Sequence, residues 1–360
     1  MEEKEAKLVL DSFSGYYKSA EITVPSIEQR EFGVGGFRKK IEGRHMGFGT
    51  NGMLHNYLVQ DTPLYISHSI AYYKFPEATP MENKEWMGGD LVFDLDVHAG
   101  MFLSEAEIEG VKNDAVSLLE DFLIEDFGVE KKDTLLVFSG GRGFHIHIKS
   151  PQFRDLGGDE RRELADYVGG VGLNYEKFFE APDENKRVWG PRKTDWGYRG
   201  RFCRFLEKVL DDDPSSIHRG LKKPQEKAKL HSCMEDGNWS KTPIKDIIPR
   251  LRAVAERMKI GTINVDSGVT IDTKRLIRVP GTLHGSTGLI AKKLDKIEGF
   301  HPYHDAIAFG SEPLKIRVLE NIGEQEFCNS TMGKMEKGEE KEVPMSYGIY
   351  LLLKGAATLS

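Results

Sequence analysis

Cysteine is scarce in this chain: Cys203, Cys233 and Cys328 are the only three in 360 residues, and they are widely spaced. That dispersal excludes the disulfide framework of a small secreted domain. No apolar run is long enough to span a bilayer, and the last apolar stretch, Tyr347 to Leu353, is too short to cross. The opening Met1-Glu2-Glu3-Lys4-Glu5 is too charged for a secretory signal, so a cytoplasmic protein with no membrane partner is expected. Internal repeats and extended low-complexity tracts are lacking as well. So is a basic excess: 50 Lys and Arg face 57 Asp and Glu, a net charge of −7. Non-specific affinity for nucleic acid comes from neutralising phosphates, so any such affinity must be local or supplied by a partner.

The most informative stretch that is present is Asp90-Leu91-Val92-Phe93-Asp94-Leu95-Asp96-Val97. As a strand it alternates, with Leu91, Phe93, Leu95 and Val97 on one face and Val92, Asp94 and Asp96 on the other. Two residues of extended chain span roughly 7 Å, so both carboxylates stand side by side. Like charges that close raise the proton affinity of the pair unless a cation intervenes. Hard oxygen donors suit Mg²⁺ or Mn²⁺. A solvated strand face is the plainer alternative for so short a motif.

Downstream residues add to it. Ser104 and Glu107 spell a capping box, and Ile108, Val111, Ala115, Leu118, Leu119 and Phe122 follow at helical spacing up to Gly128. Thr134 to Phe138 reads as a buried strand, Ser139-Gly140-Gly141-Arg142-Gly143 as a tight turn, and Phe144 to Ile148 as a strand carrying His145 and His147. The order strand, helix, strand, turn, strand puts acids and imidazoles in one compact sheet. Glycines around one arginine permit close backbone approach and an anion-binding nest, with Arg142 as a bidentate phosphate grip. Ser139 adds a donor, and His145, nearest the turn, is the favoured phosphate contact. An H-x-H pair can also ligate zinc, which leaves a zinc hydrolase on His145 and His147 as a minor alternative.

A third constellation runs from Val265 to Gly285, with Asp266, Asp272, Lys274, Arg275, Arg278 and a Pro280-Gly281 turn before His284. A metal pair bridging a nucleotide needs about three carboxylates, with cations for the triphosphate. This stretch supplies both if it folds back on the first sheet; otherwise it is a solvated basic face.

With these blocks in view, the chain resembles the small catalytic subunit of archaeal and eukaryotic DNA primases, most closely the archaeal branch. Four blocks carry the likeness in order: Glu28 to Gly33, Gly89 to Asp96, Ser139 to His145, and Asp266 to His284. The resemblance implies an α/β (α+β) fold: a primase catalytic core with an RNA-recognition-like sheet and a helical insertion. It implies that Asp94, Asp96 and Asp266 hold two Mg²⁺ or Mn²⁺ ions, Asp272 being the rival third acid. Ser139, Arg142, His145, Arg278 and His284 would bind the incoming nucleotide, as would Arg44. The implied activity is template-directed synthesis of short primers on single-stranded DNA from NTPs, with dNTPs as alternative substrates, for DNA replication. The implied partners are a primase large subunit, the template and other replication-fork proteins. Two alternatives are a primase-polymerase of repair or a mobile element, and a non-catalytic nucleic-acid-binding sheet. The last expects exposed aromatics where Asp94, Asp96, His145 and His147 stand.

The cysteine-bearing zinc knuckle that many archaeal relatives carry after the D-x-D strand is missing, since His98-Ala99-Gly100 leads almost directly to Ser104. Cys203, His218, His231 and Cys233 fit no familiar zinc spacing, and zinc is not expected. The expected organisation is a discontinuous core of residues 1–154 and 256–330, and a mainly helical insertion over 155–255. A charged connector with a C-terminal helix over 331–360 completes it. Lys186 to Arg201 interleaves cations with Trp189, Trp196 and Tyr198, which suits a single strand or a solvated loop.

Overall fold

The computed structural model of the chain describes residues 1–242, 244–258 and 263–360. Residues 259–262, which belong to the segment expected to return to the core, lie outside the described residues. Two compact units emerge: Met1–Val116 with Glu130–Ala165 and Val265–Ser360, and Ser117–Val129 with Asp166–Asn264. Among the described residues no helix is long and apolar enough to cross a membrane.

Two four-stranded antiparallel sheets organise the first unit. One runs Lys293–Leu294, Thr134–Phe138, Gly143–Ile148, Leu91–Asp96. Its inner pair aligns Asp94 with His145 and Asp96 with Gly143. The hairpin turn demands glycine at its end: a Cβ on Gly143 would lie 1.7 Å from the Leu95 carbonyl oxygen. The second sheet runs Gly43–Met46, Phe32–Gly35, Tyr65–Ser69, Leu276–Arg278. Helices Glu3–Ser19 and Asn51–Asp61 cover it through Phe13, Tyr17, Leu54 and Leu58, all buried with Phe32 and Ile66. The fold is α+β.

The third constellation does fold back. Val269 on the short helix Ser267–Ile271 shares a buried cluster with Ile70, Val92 and Ile277, one residue from each neighbouring segment. The Asp266 amide donates to the Asp94 carbonyl oxygen (2.9 Å). The start of the acid strand is held by buried arginines. Arg30 donates to Asp90 Oδ2 (2.7 Å) and to the carbonyls of Ser69 and Ile70, and Tyr72 donates to Asp90 Oδ1. Arg161 donates to the carbonyls of Gly89 and Asp90 (3.0 and 2.9 Å). That anchoring keeps residues 155–165, expected in the insertion, with the first unit.

The C-terminal segment differs from a connector. Glu340–Pro344 is a strand paired with Pro313–Val318, and helix Met345–Lys354 is largely buried. The charges misled because they sit on the exposed side of that strand, Glu340 pairing with Arg317, while Val343 faces in. The capping box at Ser104 and Glu107 is present, and helix Glu105–Ser117 follows.

In the second unit, helices Gly197–Asp212, Pro224–Asp236 and Ile247–Met258 surround Phe179, Phe202, Leu206, Leu230, Trp239 and Leu251. Leu118–Asp126 is wound with π-type spacing, which the sequence pattern did not reveal. Most cations of the 186–201 stretch, which suited either a single strand or a solvated loop, are paired with local acids. Arg187 meets Asp183 (2.8 Å), Arg192 and Arg199 share Asp195 (3.0 and 3.1 Å), and Lys193 meets Glu207. Arg201 is buried against Asp126 (2.7 Å) with Phe122 and Tyr198 beneath its guanidinium. Trp196 remains exposed.

His68 sits buried in the second sheet beside Arg30, Asp90, Lys149 and His147. Burial first, then the Arg30 charge, pushes its pKa down to about 3 from 6.5. Below about 6.5 an unfolded chain gains a proton that the fold refuses until near 3, so stability falls with pH. His68 should contribute up to about 1.4 kcal/mol per pH unit to that slope. Urea unfolding at pH 6.5, 5.5 and 4.5 should show a shallower decline in His68→Gln; identical slopes would remove His68 from the account.

Candidate active site

A cleft of about 500 Å³ opens in the first unit, over the ends of both sheets. Its wall brings together Asp94, Asp96, Ser139, Arg142, His145, Arg278, His284 and Arg44, all expected from the sequence. Seven cationic side chains (Lys40, Arg44, Arg142, Lys274, Arg275, Arg278 and Lys354) face the three carboxylates of Asp94, Asp96 and Asp272. That excess suits a polyanion such as a polyphosphate.

The carboxylates set the electrostatics. Asp94 is pushed up to about 7 from 3.8, by burial first and then by the charges of Asp96 and Asp266, against the opposing pull of Arg275. A divalent cation would relieve that cost, and carboxylate oxygens are the hard donors that Mg²⁺ or Mn²⁺ prefers. The donor chemistry therefore fits such an ion, although no group of three His, Cys, Asp or Glu residues is drawn together as a metal cluster among the described residues. Of the two candidate third acids, Asp266 caps helix Ser267–Ile271, accepting from the Gly268 amide (2.9 Å). Asp272 lines the cleft wall but accepts from the Lys274 amide (2.9 Å) and does not figure in the charge field of Asp94. The charge of Asp266 acts on Asp94 and that of Asp272 does not, which favours Asp266 as the third acid although it is not part of the cleft wall.

Around the acids, the turn 139–143 is organised by its own serine. Ser139 Oγ accepts from the amides of Gly141 and Gly143 (3.2 and 3.3 Å), which leaves its hydroxyl proton free to donate. Gly140 has φ of +77°, and a Cβ there would strike His284 Cβ at 2.9 Å. Thr287 donates to the Gly140 carbonyl (2.6 Å), closing the 284–287 loop onto the turn. The Ser286 amide donates to His284 Nδ1 (3.2 Å), so the neutral ring carries its proton on Nε2, next to Gly141.

The imidazoles are kept neutral. Burial, followed by Arg278 and Arg275, lowers His145 to about 3, and His284 lies well below its usual value for the same first two reasons, burial and Arg278. His145 Nε2 stands 3.6 Å from Asp94 Oδ1. His147 is outside the cleft wall, fully buried with its ring 6.1 Å from His145 and 6.5 Å from His68, so the two strand histidines do not share the cleft. Arg278, on the second sheet, is lowered to about 10 by burial and stays charged at neutral pH. Arg142 reaches Asp96 at 3.5 Å, both groups roughly half exposed. Arg44 lines the cleft while its Nε donates to buried Glu31 (3.0 Å), so its charge is partly committed.

Lys40, Tyr65, Ser286, Thr287 and Lys354 also form the wall, and no motif pointed to them. Lys354 ends an apolar helix near the C-terminus, where a terminal lysine reads only as a helix-end charge. The four residues weighed for zinc lie in the second unit. Cys203 and Cys233 are core thiols raised by burial to about 12 and about 11. His218 accepts from the Gly220 amide, and His231 faces Glu207 at 3.6 Å.

Residues 93–295 match the DNA primase small subunit family. Curated relatives named DNA primase small subunit PriS include that of Methanococcoides burtonii, 34% identical over 96% of this chain and 96% of the relative. The Methanosarcina barkeri protein is 34% identical over 99% of this chain and 97% of its own length. That of Archaeoglobus fulgidus is 31% identical, over 96% of each. Matching at this level over nearly the whole length means that the chain belongs to the DNA primase small subunit family.

Proposed function

We propose that this cleft joins nucleotides on a single-stranded DNA template, making short primers from NTPs for DNA replication, with dNTPs as alternative substrates. The observation that carries the reading is the pairing of two adjoining strand carboxylates, one held near neutrality, with a surplus of cations in the same cleft. Asp94, Asp96 and Asp266 would hold two divalent ions of the Mg²⁺ or Mn²⁺ type. Such ions, when bound, lower the pKa of the attacking hydroxyl and neutralise the departing pyrophosphate.

The chain's own residues do the positioning. The attacking 3′-hydroxyl oxygen forms a bond to the α-phosphorus as the bond to pyrophosphate breaks, and its proton passes to solvent. Arg142 grips phosphate oxygens with its planar fork, and Arg278 on the second sheet and Arg275 just before its strand add fixed charge. Ser139 and the Nε2–H of His284 donate neutral hydrogen bonds, which orient without adding charge. His145, neutral and beside Asp94, limits water around the acids and supplies a further donor. Little covalent chemistry falls to the protein; orientation and electrostatics do most of it. The relatives' name, small subunit, supports a large-subunit partner for this chain, which would supply template affinity that a net charge of −7 does not favour.

Synthesis without added primer on single-stranded DNA, with NTPs or dNTPs and either Mg²⁺ or Mn²⁺, tests the reading. Asp94→Asn, Asp96→Asn and Asp266→Asn should each reduce synthesis by about a thousandfold or more, the loss of roughly 4 kcal/mol of transition-state stabilisation, while unfolding transitions stay near wild type. Asp272→Asn should retain most activity; the reverse pattern would transfer the third acid to Asp272. Arg142→Ala should raise the KM for nucleotide about tenfold or more with a smaller change in kcat. An unchanged KM would take Arg142 off the triphosphate.

A further inference from the structure

Residues 36–42 join strands Phe32–Gly35 and Gly43–Met46 and read Gly-Phe-Arg-Lys-Lys-Ile-Glu. Their backbone is fixed. The Gly36 amide donates to the Lys39 carbonyl (3.1 Å) and the Glu42 amide to the Val34 carbonyl (2.7 Å). The Lys39 amide donates to Glu42 Oε1 (3.1 Å). A Cβ on Gly35 would lie 2.3 Å from the Lys40 carbonyl oxygen, so the connection folds tightly back along its own strand.

This compact turn sends its large side chains outward. Phe37 is 46% exposed, and Arg38, Lys39 and Lys40 are exposed beside it. None of the three cations has an ion-pair partner among the described residues, unlike Arg44 a few residues on, which is tied to Glu31. The Phe37 ring is left nearly half in solvent and the three charges are paired with no acid among the described residues, so folding does not account for them. Lys40 and Ile41 continue from the tip into the cleft wall, where the Lys40 charge helps to depress His284. Tip and cleft form one continuous surface.

We propose that this hairpin is a binding site for single-stranded nucleic acid. It takes the DNA template strand beside the cleft, with Arg38 and Lys39 on backbone phosphates and Phe37 stacked on a base. Single-strand tracks pair cations that follow the backbone with an aromatic face that accepts any base. The hairpin has both within three consecutive residues, and it adjoins the cleft through Lys40 and Ile41. The assignment rests on the nucleotidyl-transfer reading for why a strand comes here, although the binding itself can be measured without catalysis.

Fluorescence anisotropy of a labelled oligothymidylate, titrated with the full chain at low salt, tests it. Arg38→Ala/Lys39→Ala should weaken binding about tenfold and flatten the log–log salt slope by roughly 1.4, two phosphate contacts at about 0.7 each for single strands. Phe37→Ala should weaken it about fivefold or more, and Phe37→Trp should restore it. These positions are exposed, and thermal unfolding of each variant should match wild type. Unchanged affinity and salt slope in the variants would overturn the proposal, as would no measurable binding by the wild type. A loss confined to an oligouridylate of the same length would overturn the template assignment and give the hairpin to an RNA primer. Loss of primer synthesis in Asp94→Asn with unaltered hairpin-dependent binding would support this site, and primer synthesis intact beside a failed hairpin would overturn it alone.

Discussion

Antiparallel pairing of Leu91–Asp96 with Gly143–Ile148 sets Asp94 against His145 and Asp96 against Gly143, and the site depends on that register. A slip of one residue would turn both carboxylates to the opposite face, into the space that Phe93 and Leu95 fill. The residue just before the acid strand shows what a satisfied acid looks like. Asp90 shares the face of Asp94 but is met by Arg30 and Tyr72, so its charge is spent on holding the strand. Asp94 has no such cationic partner among the described residues; beside it at 3.6 Å stands His145, which burial keeps neutral. The segment therefore runs from a compensated structural acid, Asp90, to Asp94 at the cleft, where burial and neighbouring acids oppose the charge.

The surroundings answer that excess in two ways. Cations arrive from distant segments: Arg142 from the hairpin turn, Arg278 from the second sheet, Arg275 from just before its strand, and Lys354 from the last helix. The imidazoles contribute no charge. Because Arg278 and burial both oppose protonation, His145 and His284 act at neutral pH as oriented dipoles. A polyanion would meet fixed positive charge from the arginines and directional N–H groups from the histidines. The glycine turn makes this arrangement physically possible, since a side chain at Gly140 would meet the His284 loop and one at Gly143 the neighbouring strand.

Much of this was legible in sequence because the carriers are local. The D-x-D strand, the capping box at Ser104, the glycine turn and the alternating histidines each have a short-range signature, and each forms the element its pattern implied. The return of the third segment was written only as a need for a further acid, and the cluster of Val269, Ile70, Val92 and Ile277 is what brings it back. Lys354 and Lys40 were illegible because nothing in their neighbourhoods differs from a helix end and an exposed turn. Arg44, expected at the nucleotide, does line the cleft, but its tie to Glu31 was not legible, for that bond joins the second strand of a hairpin to the residue just before the first. The polar run near residue 340 hid a strand, since alternation fails as a signal when one face is almost wholly charged.

Cations in this chain differ less in number than in how firmly they are held. Arg201 and Arg30 are buried against Asp126 and Asp90 at 2.7 Å, and removing such a partner strands a charge in low dielectric, at a cost of about 3–5 kcal/mol. They cannot be lent to a ligand. Arg142 meets Asp96 at 3.5 Å with both side chains close to half in water, a geometry whose exposed pairing is worth roughly 1 kcal/mol or less. Exchanging Asp96 for a phosphate oxygen would thus cost Arg142 little and gain a doubly hydrogen-bonded contact, and under the proposed nucleotidyl transfer it would free Asp96 for a metal ion. A loosely paired arginine beside an overcharged acid is consequently a better mark of a binding site here than the net charge of −7, which averages held and available cations together.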